Sequence, residues 1–144
     1  MDFGQIGAGV VFGLAAIGSG LGLGIAGMAT IGAWKKCFIA NKAAPMLLLA
    51  FTGNALTQTF YGFILMGQLR AAALVNPDLG SMYLGYGFAA GFSFLFSAVM
   101  QGKAAACACE ALVEKGKGFA QYMIVMGIIE TVALFTMVFT MISL

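Results

Sequence analysis

At 144 residues, 62% of them hydrophobic and only 8% charged, with a mean hydropathy of +1.01, the chain falls outside ordinary soluble domains, where about 25% of residues are charged. It reads as an all-α membrane protein. The net charge of +2 comes from lysines clustered between apolar runs and partly offset by Glu110 and Glu114, so no basic stripe exists to grip phosphates and no nucleic-acid partner is expected.

Four apolar stretches are long enough to span a bilayer: Ile6 to Trp34, Pro45 to Leu69, Leu79 to Ala106 with a polar extension to about Leu112, and Phe119 to Leu144. The opening Met1-Asp2-Phe3-Gly4-Gln5 lacks a basic segment, and the apolar run behind it is too long for a signal peptide, so the first stretch reads as an uncleaved helix. Gly9, Gly13, Gly20, Gly24 and Gly27 advance along it by steps that hold them on one face, which is expected to let another backbone approach closely. Gly18-x-x-x-Gly22, Gly20-x-x-x-Gly24 and Gly87-x-x-x-Gly91 carry the same expectation. Gly22-x-Gly24-x-x-Gly27 also spells a dinucleotide fingerprint, but that loop needs a strand before it and here it lies inside a membrane helix.

In the second stretch Asn54, Thr57, Gln58 and Tyr61 are spaced i, i+3, i+4 and i+7 and share one face. Such a stripe serves either as hydrogen-bonding glue between helices or as a ligand site. The third stretch is built of small residues, among them Ala90, Gly91, Ser97, Ala98 and Gly102, with Gln101 a lone amide. The second and fourth carry Phe, Leu, Ile and Met, so the first and third helices are expected inside an assembly and the other two facing outward. Glu130 stands alone in the apolar run from Phe119 to Leu144. A carboxylate at membrane depth is costly, which points to an ion or proton site; the alternative is a structural carboxyl hydrogen-bonded between packed helices.

Lys35, Lys36, Lys42, Lys103, Lys115 and Lys117 lie in or beside the first and third loops, whereas Arg70 and Asp78 flank the second. The expected topology is multi-pass, with loops one and three cytoplasmic and both termini extracytoplasmic. Lys35 to Ala44 and Glu110 to Gly118 would dock a partner or anchor to anionic lipid. Cys37, Cys107 and Cys109 are odd in number and fall on the reducing side, and the chain has no His, so they read as packing residues. No phosphate-binding loop occurs, the nearest sequence being Gly102-Lys103-Ala104, so nucleotide chemistry belongs to another subunit and this chain is non-catalytic.

Residues 1–72 and 79–144 read as diverged copies of one helical hairpin. Ser19 to Gly27 aligns with Ser97 to Ala105, placing Leu23 on Gln101, and Gln58-Thr59 aligns with Glu130-Thr131, the first loop being longer by six residues. An even number of spans separates the copies, so both cross in the same sense, as tandem duplication produces and inverted-repeat transporters do not. A carboxylate joined by hydroxyl, amide and backbone oxygens is the donor set a small hard cation requires, while a proton needs fewer ligands.

These residues resemble the rotor-ring proteolipid of V-type ATPases in its four-helix duplicated form, over essentially the whole chain. The matching segments are Phe96-Ser97 through Gln101-Gly102-Lys103-Ala104-Ala105-Ala106, Thr57-Gln58 followed by Tyr61-Gly62-Phe63, and Ile129-Glu130-Thr131. The resemblance implies a homo-oligomeric ring in which Na+ is held by Glu130, Thr57, Gln58, Gln101 and the backbone carbonyl of Asn54, with Tyr61 hydrogen-bonding Glu130. It also implies a stator subunit bearing an arginine and a central stalk at the cytoplasmic loops, and leaves H+ as the alternative cargo. Asn54-Ala55-Leu56 departs from the family's more usual Leu-Pro-Gly run. Without that proline, the Asn54 carbonyl is expected to stay tied into the helix ladder, its side-chain oxygen being the substitute at hand.

Overall fold

Asp2 starts the first helix by accepting the Gln5 N–H at 3.0 Å, which satisfies one of the free donors of the first turn. The computed structural model describes residues 2–144, and in it α1 runs Phe3–Ile39. It is longer at both ends than its apolar pattern, so Lys35 and Lys36 ride on its last turns. The chain reverses through Asn41, whose φ of 53° is a left-handed conformation that Asn tolerates. Trp34 Nε1 donates to the Pro45 carbonyl at 3.0 Å and ties this reversal to α1.

The second expected span is divided. α2 (Leu48–Gly53), one turn of 3-10 helix (Asn54–Leu56) and α3 (Thr57–Val75) follow each other with right-handed helical dihedrals at the junctions. The winding tightens at Asn54–Leu56 although no proline is present, and the Thr57 N–H bonds back to the Asn54 carbonyl. Asn76, extended ahead of Pro77, ends α3. A second 3-10 turn (Pro77–Leu79) leads into α4 (Gly80–Lys115). Gly116 (φ 67°) stops α4, its N–H bonding the Leu112 carbonyl at 2.8 Å, and Gly118 (φ 100°) precedes α5 (Phe119–Ile142). Among the described residues three helical segments, Phe3–Ile39, Pro77–Lys115 and Phe119–Ile142, are individually long and apolar enough to cross a membrane.

α1 and α4 lie side by side and parallel. A Cβ added at Gly7 would sit 2.5 Å from the Tyr83 carbonyl oxygen. One at Gly18, Gly22, Gly87 or Gly102 would overlap backbone of the facing helix. α3 runs antiparallel against them, with Gly62 at Ala15 and Ala73 at Gly4. α5 returns antiparallel to α4, placing Thr136 beside Ser93 and Met126 beside Gln101. The start of α1 and the end of α5 therefore lie at the end of the bundle that holds Pro77–Leu79, opposite the exposed Lys36–Glu110 ion pair of 3.0 Å.

Within the single chain, the glycine face expected to make close contacts meets no neighbouring helix. A Cβ added at Gly9, Gly13, Gly20 or Gly24 would find nothing within 4 Å, and one at Gly27 would meet only Thr52 Cγ2 at 3.9 Å. α1 carries two glycine faces, and the packed one holds Gly4, Gly7, Gly18 and Gly22 among buried Ala8, Val11, Ala15 and Ala26. Those side chains supply the apolar volume that a bare glycine stripe lacks.

Two apolar clusters result, one around Val11, Leu65, Leu69 and Phe94, the other around Leu48, Phe51, Cys109 and Leu112. Between them lies a layer of buried polar side chains, Ser19, Gln58, Ser97 and Gln101. Cys37 and Cys109 are buried and Cys107 exposed, all as free thiols, and Cys109 Sγ lies 3.2 Å from the Thr30 hydroxyl. α5 buries only Met126 and Ala133 fully and turns Ile128, Val132, Phe135 and Phe139 outward, as suits a helix facing hydrocarbon.

Candidate ion-binding site

Glu130 lies near the middle of α5, about 17 Å from Phe119 at 1.5 Å per residue. Placing its carboxylate in an apolar medium is tolerable only with donors around it. Two are present: the Tyr61 hydroxyl donates to Oε1 at 2.7 Å, and Gln101 Nε2 donates to Oε2 at 3.1 Å. Tyr61 comes from α3 and Gln101 from α4, so the carboxylate sits where three helices meet. Glu130 and Tyr61 are half-buried, whereas Gln101 and Gln58 are completely enclosed.

The amides form a chain behind the carboxylate. Gln58 Nε2 donates to Gln101 Oε1 at 2.7 Å and to Ser97 Oγ at 3.3 Å. Gln101 Nε2 also donates to the Met126 carbonyl at 3.2 Å, and the Ser97 hydroxyl donates to the Ile129 carbonyl at 3.2 Å. Gln101 thus turns its nitrogen to Glu130 and its oxygen to Gln58.

A second set of atoms is all oxygen. The Thr57 hydroxyl donates to the Asn54 carbonyl at 3.1 Å and to Gln58 Oε1 at 3.3 Å, so those three oxygens converge on one side of the 3-10 turn. As expected without a proline, the Asn54 carbonyl stays tied into the helix, accepting from both the Thr57 N–H and the Thr57 hydroxyl. The Asn54 side chain points elsewhere: its Nδ2 donates to the thioethers of Met123 and Met126 at 3.4 and 3.7 Å.

Ser97 belongs to this network, although in the sequence it stands out only as a small residue and an anchor of the repeat and the resemblance, not as a site residue. Its position four residues before Gln101 on the same helix, hence on the same face, was the available signal. Ser19, which the repeat alignment pairs with Ser97, is also buried, but its hydroxyl has no hydrogen-bond partner among the described residues.

No curated protein matches the chain. Residues 84–143, spanning most of α4 and all of α5, match the family model of the ATP synthase C subunit. That likeness is confined to the second hairpin, while three helical segments have the length and composition to cross a membrane.

Proposed function

We propose that the chain is the rotor-ring subunit of a V-type rotary ATPase and carries Na+ across the membrane on Glu130, with ATP hydrolysed by other subunits. Several copies stand side by side, each two tandem hairpins giving four helical crossings, with α1 and α4 inside and α3 and α5 toward lipid and stator. Each contributes one Glu130. The observation that carries this reading is the junction of Glu130 with Tyr61 and Gln101, set beside the converging oxygens of Asn54, Thr57 and Gln58.

A bound cation neutralises the carboxylate, so the site passes hydrocarbon without the several kcal/mol that a bare charge would cost. At the stator an arginine from another subunit attracts the unloaded carboxylate and blocks leakage. The lysine-bearing end, Lys35 to Ala44 and Glu110 to Gly118, faces the cytoplasm and docks the central stalk. A proton is the second candidate cargo, favoured by one feature: Gln101 offers Glu130 an N–H rather than an oxygen.

Reaction of Glu130 with a carbodiimide separates the two. At constant pH, Na+ is expected to protect the carboxyl from modification. Protection by acid alone would reassign the cargo to H+.

A further inference from the structure

Gln58 is wholly enclosed, so both of its amide N–H groups need acceptors, and whichever partners hold the nitrogen decide that the oxygen faces Thr57. Those partners are Gln101 Oε1 and Ser97 Oγ. The Ser97 hydroxyl proton is committed to the Ile129 carbonyl, which leaves its lone pairs for Gln58. Any turn of Gln101 that offers Oε1 to a cation weakens the first hold on Gln58 and leaves Ser97 as the remaining one. Ile129 directly precedes Glu130, so the same hydroxyl ties the amide to the backbone that carries the carboxylate.

We propose that Ser97 is a positioning residue for Na+: it locks the Gln58 amide with its oxygen toward the ion and touches neither the ion nor the carboxylate. This rests on the sodium reading of the site. A residue of this kind governs the affinity for a metal ion and leaves protonation of Glu130 unaffected, because the Gln58 oxygen faces Thr57 and the ion while the carboxylate takes its hydrogen bonds from Tyr61 and Gln101. Ser19 supplies an internal control, being a buried serine on the neighbouring helix whose hydroxyl has no partner among the described residues.

The experiment is carbodiimide labelling of Glu130 in the assembled ring, titrated with NaCl at fixed pH and separately with acid, for wild type, Ser97→Ala, Ser97→Thr and Ser19→Ala. Loss of the hydrogen bond in Ser97→Ala is expected to raise the sodium concentration for half-protection about fivefold or more. The acid titration should stay in place, and the hydroxyl of Ser97→Thr should return the sodium midpoint toward wild type. An unchanged sodium midpoint in Ser97→Ala overturns the positioning role, as does a shift matched by Ser19→Ala or accompanied by an equal shift in the acid titration. If Na+ fails to protect wild type, the sodium reading itself falls and Ser97 with it, a result distinct from protected wild type with an indifferent Ser97→Ala.

Discussion

Glu130 and Tyr61 meet across 69 residues of chain through one 2.7 Å hydrogen bond. A hydrogen bond to a charged group is worth about 1.5–3 kcal/mol, and the half-exposed position puts this one at the lower end. Tyr61→Phe should therefore weaken ion retention roughly tenfold, seen as a higher sodium requirement for protection of Glu130. Unaltered protection would show that Tyr61 does not hold the carboxylate in the loaded site. Ser19 invites the opposite expectation. A buried hydroxyl without a partner costs about 1–3 kcal/mol of desolvation, so Ser19→Ala should leave stability unchanged or raise it, measurable by unfolding in SDS. Helical spacing made it legible that Gln58 and Tyr61 share a face and that a lone acid in hydrocarbon must find polar company, while the pairing of Tyr61 with Glu130 came from the resemblance. What was not legible was direction: the Asn54 amide turns to two methionine sulfurs and the Gln101 amide presents nitrogen to Glu130, choices set by packing that spacing does not encode.

At the scale of the helices, glycine periodicity identified residues that share a face without identifying which face meets the neighbour. α1 offers two such faces, and only the one flanked by alanine and valine is packed. Gly22→Ala should thus force α1 away from α4, since the added carbon would overlap the Ala98 carbonyl, at a cost of about 1–3 kcal/mol. Gly24→Ala meets nothing within 4 Å and should gain up to about 1 kcal/mol in helix propensity within the protomer. SDS-driven unfolding followed by circular dichroism ranks the two, and a reversed order would contradict the packing. The break at Asn54–Leu56 also escaped the sequence pattern. Proline is the usual signature of such a break, yet here the 3-10 turn forms among Asn, Ala and Leu where the Thr57 hydroxyl and N–H both seek the Asn54 carbonyl.

For the molecule as a whole, the arrangement sets a polar layer between two apolar clusters, with α5 exposing most of its surface and Glu130 at its centre. That architecture makes sense if the carboxylate travels through hydrocarbon only when a cation cancels its charge. The most direct measurement is equilibrium binding of radioactive sodium to the purified ring, wild type beside Glu130→Gln, with ring assembly verified for both. The expected result is one Na+ bound per chain in wild type and none in Glu130→Gln. Wild-type rings that take up no sodium, or Glu130→Gln rings that take up as much, would contradict it.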